Sequence, residues 1–219
     1  MKAAIFDLDN CICPADAAGV ELFAPAFDAI RESNRGWLDA ATLDRALHEC
    51  WFTAFDLVAE RYGFSVEMLN AGRAAFSALQ ITKPIAPYPD VRLLSILPLR
   101  RFLVTSGFTR LQKSKIRALG IESLFDAIFI DAIDSASHPG KQAIFESIRD
   151  SGQWAPCEML VIGDNPLSEL DAGRNLGMVT VQTLRPNVEK STLADHHVVD
   201  FRELWPILGW TLPIEAALH

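Results

Sequence analysis

No stretch of this chain is apolar for the ~20 consecutive residues that a membrane-spanning helix requires; its hydrophobic half is broken by charge throughout. It also lacks basic clusters beyond Arg100-Arg101, and with a formal net charge of −8 it offers little to attract a polyphosphate backbone. Neither a membrane nor a nucleic acid is therefore expected as a partner, and a small solute is. Cysteine is scarce and irregular, with four residues at 11, 13, 50 and 157, which fits no disulfide framework. The pair Cys11 and Cys13 could begin a soft-metal site, but no second pair completes it. The first residues run straight into an apolar strand pattern with no room for a signal peptide, and the few, irregular cysteines fit a reducing compartment, so a cytoplasmic location is expected. Glycine-rich dinucleotide fingerprints, Gly-Lys-Ser/Thr phosphate loops, internal repeats and low-complexity tracts are absent as well.

What is present is alternation. Short apolar runs at Ala3 to Phe6, Arg101 to Val104, Ala127 to Ile130, Met159 to Ile162 and Val179 to Val181 are each followed by a turn and a helix-like pattern. That order predicts an α/β fold with a parallel sheet wrapped by helices. The gap between the first two runs is far too long for a crossover connection, and it reads as helical. Phe23, Phe27 and Ile30 recur at helical spacing. Leu43, Leu47, Trp51, Ala54, Val58 and Tyr62 continue the pattern, followed by Met68, Gly72, Phe76 and Leu79. Asp39 and Ser65 are the expected N-caps and Gly63 the expected stop. The boundaries that follow are residues 1–13 with 88–219 for the α/β core and residues 14–87 for a helical insert. The aromatic stripe of the insert is assigned to packing, with Trp51 or Phe52 as the alternative substrate contacts.

Three of the apolar runs end in groups that can do chemistry. The first closes with Phe6-Asp7-Leu8-Asp9-Asn10, the second with Thr105-Ser106-Gly107 and the fourth with Gly163-Asp164-Asn165. In an open parallel sheet the carboxyl ends of the strands line the ligand crevice, so charge there can be exposed and functional. Each signal alone has an ordinary reading: a solvated turn for Asp-x-Asp, plain turn chemistry for Ser-Gly. Together, Asp7, Asp9 and Asp164 would repel one another unless a cation held them, and hard oxygen ligands suit Mg2+. Lys141, the only lysine between Lys115 and Lys190, opens a helical pattern just before the fourth run and can supply further positive charge.

Asp-x-Asp, Thr-Ser-Gly, a helix-borne lysine and Gly-Asp, in that order, resemble the four motifs of the haloacid dehalogenase-like superfamily. The run Gly163-Asp164-x4-Glu169-x2-Ala172-Gly173-x3-Gly177-Met178 is similar to its fourth motif, and the insert is similar to its helical cap. The resemblance covers the chain and implies a Rossmann-like, doubly wound parallel sheet with an inserted all-helical cap. It implies that Asp7 is the nucleophile and that Asp9 is the acid/base, its backbone carbonyl joining Asp7 and Asp164 around Mg2+. Ser106, Gly107 and Lys141 would hold the phosphoryl oxygens. The implied activity is phosphatase action on a small phosphorylated metabolite, by a monomer or homodimer. The string Asp9-Asn10-Cys11-Ile12-Cys13-Pro14 is similar to that of pyrimidine nucleotidase-like members, which suggests a nucleoside monophosphate.

Three positions depart from the family pattern. Cys11 replaces the usual Thr, Glu169 replaces a second Asp, and His138-Pro139-Gly140-Lys141 lacks the frequent Lys-Pro pair. Cys11 and Glu169 support one rival reading, a phosphate-binding regulatory protein on the same fold. The other rival, a haloacid dehalogenase, needs neither metal nor an acid at Asp9. His196 and His197, as neighbours on a strand, face opposite sides and are assigned a structural role.

Overall fold

The computed structural model describes residues 1–136 and 138–213. Among these described residues, six strands form one sheet: β1 (Ala3–Phe6), β2 (Arg100–Gly107), β3 (Ala127–Ala132), β4 (Met159–Gly163), β5 (Val179–Thr183) and β6 (His196–Val198). Their order is β3-β2-β1-β4-β5-β6, and every pairing is parallel. The five apolar runs are the first five strands. The sixth, short and polar, extends the sheet beside β5. All four residues of β1 are buried because the strand is central and covered on both faces, which is why it reads as continuous apolar sequence rather than alternation. Phe6 is in register with Leu103 on one side and Ile162 on the other. The tips of β1, β2 and β4 therefore meet at one edge, where the order reverses and a doubly wound sheet opens a crevice.

Alternate residues of β1 feed the two faces. Ala4 and Phe6 pack with Leu103, Leu160, Ile162 and Val181, whereas Ala3 and Ile5 pack with Phe102, Val104, Phe145 and Val161. Between β1 and β2 stand four helices, α1 (Ala24–Asn34), α2 (Ala40–Glu49), α3 (Phe55–Tyr62) and α4 (Val66–Ala78). Asp39 caps α2 by accepting from the Thr42 N–H, Ser65 caps α4 by accepting from the Met68 N–H, and Gly63 ends α3 in the left-handed conformation. Ile30, Leu47, Phe55, Met68 and Phe76 form their shared core, which reaches the sheet layer through Phe108, Leu111 and Ile133.

The periodic run from Leu43 to Tyr62 is not one helix. It breaks between Glu49 and Phe55, and the turn delivers Trp51 onto Phe23, with rings stacked at 4.0 Å and 13°. Packing of that ring overrides a pattern that local spacing alone would continue. On the core side follow α5 (Thr109–Leu119), α6 (Gly140–Gly152), α7 (Glu169–Asn175) and α8 (Leu204–Ile207).

A buried ion pair ties the carboxy-terminal segment to the loop after β1. The Arg185 guanidinium donates to Asp90 Oδ2 at 2.9 Å and to the Cys11 carbonyl at 3.1 Å, and it lies over the rings of Tyr88 and Phe201. Asp90 Oδ2 also accepts the Phe201 N–H at 2.7 Å. Removing one partner of such a pair leaves an uncompensated buried charge. Asp90→Ala is therefore expected to cost about 3–5 kcal/mol in urea unfolding. A loss below about 1 kcal/mol would show that water reaches Arg185 after all.

Candidate active site

Asp7 is the first residue beyond β1, and its N–H still donates to the Ile162 carbonyl at 2.9 Å, as though the strand continued. The chain then turns tightly. The N–H groups of Ile12 and Cys13 return to the Leu8 carbonyl, and Asn10 takes a left-handed φ of 50°, a conformation that asparagine tolerates better than most residues. The Asn10 side chain works in two directions: Nδ2 donates to Asp164 Oδ2 at 3.1 Å, and Oδ1 accepts the Ala15 N–H at 3.2 Å. Thr183 Oγ1 holds the Asn10 carbonyl from β5 at 3.0 Å. Cys11 points away from this crevice into the core, with Sγ 3.6 Å from the Ile162 carbonyl, and burial pushes its thiol well above the ordinary range.

Lys141, in the first turn of α6, lies between two buried carboxylates. Its Nζ is 2.7 Å from Asp7 Oδ1 and 2.8 Å from Glu169 Oε2. Glu169 Oε1 accepts the Asn165 N–H at 2.6 Å, so both of its oxygens are engaged. Room for this side chain comes from Gly163, where a Cβ would stand 2.3 Å from Glu169 Oε1. Asp7, Asp164 and Glu169 bring carboxylate oxygens within 4.8 Å of one another. Burial raises Asp7 well above the usual carboxylate range despite the opposing pull of Lys141. Burial and the neighbouring Glu169 push Asp164 up to about 7. Burial would lower Lys141, but Asp7 and Glu169 outweigh it and hold the ammonium firmly charged.

At the tip of β2, the Ser106 hydroxyl donates to Asp131 Oδ2 at 3.1 Å, and Asp131 Oδ1 accepts the Gly140 N–H at 3.0 Å. One buried carboxylate thus fixes both Ser106 and the start of the helix that carries Lys141. Gly107 has φ 149°, and a Cβ there would lie 2.6 Å from Gln112 Nε2, the group that donates to the Ser106 carbonyl. Only glycine fits this tip.

Asp7, Asp9, Ser106, Gly107, Lys141 and Asp164 all line one cavity of about 540 Å3, and the insert closes its far side with Phe23, Trp51, Phe52 and Phe76. Asp9 does not share Lys141. It pairs with Lys115 of α5, whose Nζ also donates to the Ala15 carbonyl at 3.0 Å. Sequence reasoning missed Lys115, Asn10 and Asp131. For Lys115 a signal existed: it sits four residues after Leu111 and four before Leu119, a lysine on the buried stripe of an amphipathic helix. Arg110 binds Gln80, Arg100 pairs with Asp126, and neither lines the cavity. His197 Nε2 lies 2.6 Å from the Ser191 carbonyl, and neither His196 nor His197 lines the cavity.

A family model for haloacid dehalogenase-like hydrolase matches residues 1–177. Pyrimidine 5'-nucleotidase YjjG of Escherichia coli (strain K12) is 26% identical over 78 residues. That match covers 36% of this chain and 35% of YjjG, so the chain spans about a third of the length of this relative. A HAD phosphatase from Thermococcus onnurineus superposes with a TM-score of 0.62 at 22% identity, covering 96% of this chain and 99% of the other. The magnesium-bound structure of YfnB from Bacillus subtilis superposes at 0.60 with 19% identity, covering 94% and 98%. At these identities the two structures speak for the fold. Among the described residues no helix is long and apolar enough to cross a membrane.

The Asp164 carboxyl group gives a pH signature whose sign is fixed. Its folded value, about 7, lies above the ordinary 3.8, so folding favours its protonated form. The stability it contributes is complete below about pH 4 and is lost as pH rises through about 7. With chelator present, the wild type should therefore lose more stability between about pH 5 and about pH 8 than Asp164→Asn does, by up to a few kcal/mol in urea titrations. Identical pH slopes for the two proteins would refute a buried, repelled carboxylate at this position.

Proposed function

The chain belongs to the haloacid dehalogenase-like hydrolase family, and from that premise we propose that it is a magnesium-dependent phosphomonoester hydrolase working through an aspartyl-phosphate on Asp7. The observation that carries the reading is the meeting of Asp7, Asp164 and Glu169 at one sheet edge, with Lys141 between Asp7 and Glu169. The acidic side chains that line this cavity, Asp7, Asp9, Asp56, Asp131, Asp164, Glu169 and Asp171, outnumber its cationic ones, Arg61, Lys115 and Lys141. The donors are hard oxygens, the ligand type that suits Mg2+. Asp7, Asp164 and the Asp9 backbone carbonyl would hold the ion, while Glu169, with both oxygens engaged, steadies Lys141. When bound, Mg2+ supplies Lewis-acid polarisation of a phosphoryl oxygen.

The chain's own residues divide the remaining work. An Asp7 oxygen attacks phosphorus as the bond to the leaving-group oxygen breaks, and Asp9 gives that oxygen its proton. The Asp9 carboxylate then takes a proton from water, whose oxygen attacks phosphorus, releasing orthophosphate and restoring Asp7. Lys141, the Gly107 N–H and Ser106, whose hydroxyl swings from Asp131, hold the phosphoryl oxygens. A dehalogenase would have no use for an acid at position 9, and Asp9 lines the cavity beside Asp7.

Residues 14–87 act as the cap over a small phosphorylated metabolite. A nucleoside monophosphate is the favoured class. The aromatic wall of Phe23, Trp51 and Phe52 offers ring faces to a base, and the Asp9 to Pro14 string and the local likeness to a pyrimidine nucleotidase agree with it.

The test is hydrolysis of 4-nitrophenyl phosphate. Chelation should lower turnover at least about a hundredfold, with Mg2+ restoring it, and Asp7→Asn should lower it by about a thousandfold or more while the protein stays folded. Undiminished hydrolysis in chelator, or by Asp7→Asn, would defeat the proposal. Metal-free turnover of a 2-haloacid would put a dehalogenase in its place.

A further inference from the structure

Lys115 is a buried cation to which the four family motifs assign no part. Its side chain is 7% exposed, on the face of α5 that also carries Leu111 and Leu119. Burying a lysine costs several kcal/mol unless partners compensate it. Two acceptors hold it. One is Asp9 Oδ1, and the other is the carbonyl of Ala15, at the start of the chain's passage into the helical insert. Ala15 is clamped from its other side by Asn10 Oδ1, which accepts its N–H, and Asn10 in turn donates to Asp164. Meanwhile the Asp9 side chain remains 31% exposed, in the cavity it lines.

We propose that Lys115 is a positioning residue for Asp9: anchored to the Ala15 carbonyl, it grips one carboxyl oxygen so that the other is aimed at the oxygen leaving phosphorus. The inference rests on Asp9 as the acid/base of the proposed reaction. It separates the two buried lysines by task. Lys141 touches the Asp7 carboxylate and faces the phosphoryl group, whereas Lys115 touches neither and acts through Asp9. A lysine present only to balance charge or fill space would affect all substrates alike when replaced. One that aims a proton donor matters where the leaving group needs the proton.

Two esters with a ring of similar size make that distinction. Nitrophenolate leaves 4-nitrophenyl phosphate without protonation, whereas the alkoxide of benzyl phosphate requires it. The measurement is the rate of the first turnover, with enzyme in excess and Mg2+ present, so that the later water step does not enter. In Lys115→Met the benzyl phosphate rate should fall about 10- to 100-fold while the 4-nitrophenyl phosphate rate stays within about threefold. Lys115→Arg, which keeps a cation with several donors, should hold the ratio of the two rates near that of the wild type. Asp9→Asn should depress the ratio at least as far, and adding Lys115→Met to it should change the ratio no further. Equal losses on both esters in Lys115→Met, or a ratio that still shifts in the Asp9→Asn background, would overturn the positioning role while leaving Asp9 in place. Equal losses on both esters in Asp9→Asn would overturn the acid/base reading itself, and the inference with it. Thermal melts establish that each variant is folded; should Lys115→Met fail, Lys115→Gln carries the same comparison, with the same outcomes deciding.

Discussion

The site depends on one interaction, the ammonium of Lys141 held between Asp7 and Glu169. A parallel sheet that buries β1 on both faces delivers Asp7 to a place where a carboxylate is costly, and β4 delivers Asp164 beside it. Such charges persist only if other fixed charges answer them. Lys141 does so at 2.7 and 2.8 Å, and much of the surrounding structure keeps it there. Asp131 holds the start of its helix through the Gly140 N–H, and Gly163 clears the space that Glu169 occupies. A buried pair of this kind is weak evidence of stabilisation, because desolvation offsets much of the attraction. Its value lies in a fixed geometry around Asp7 and in the negative charge still left over.

That remaining charge gives the cavity its polarity. One end is crowded with carboxylates and the tips of parallel strands. The other is an aromatic wall contributed by the insert, where Trp51 stacks on Phe23 and Phe52 stays exposed. The proposed substrate, an ester with a charged phosphoryl group and a flat ring, would address both ends. The clamp of Asn10 and Lys115 on Ala15 joins them mechanically, because the same loop that presents Asp7 and Asp9 becomes the passage into the insert.

Much of this was legible in the sequence, for physical reasons. Strands buried on both faces read as short apolar runs, and carboxylates directly after them, at Asp7 and Asp164, stand out because charge is rarely placed there. Lys141 was found by scarcity, as the lone lysine in a long interval. Lys115 was not, since a helix with several lysines and arginines looks like a solvated face until its buried stripe is traced through Leu111 and Leu119. Asp131 and Asn10 act through hydrogen bonds between segments distant in sequence, which no local pattern encodes. The break between α2 and α3 was hidden for a related reason: Trp51 leaves the helical path to pack on Phe23, and nothing between Glu49 and Phe55 is a glycine or proline to mark the turn.

The central claim, that Asp7 takes up the phosphoryl group, is tested most directly by rapid acid quenching of a reaction with radiolabelled phosphate ester and Mg2+, followed by peptide mapping. The account predicts label on the peptide containing Asp7, appearing at least as fast as turnover and decaying as orthophosphate forms. Label on another residue, or full turnover in which the protein never carries label, would contradict it.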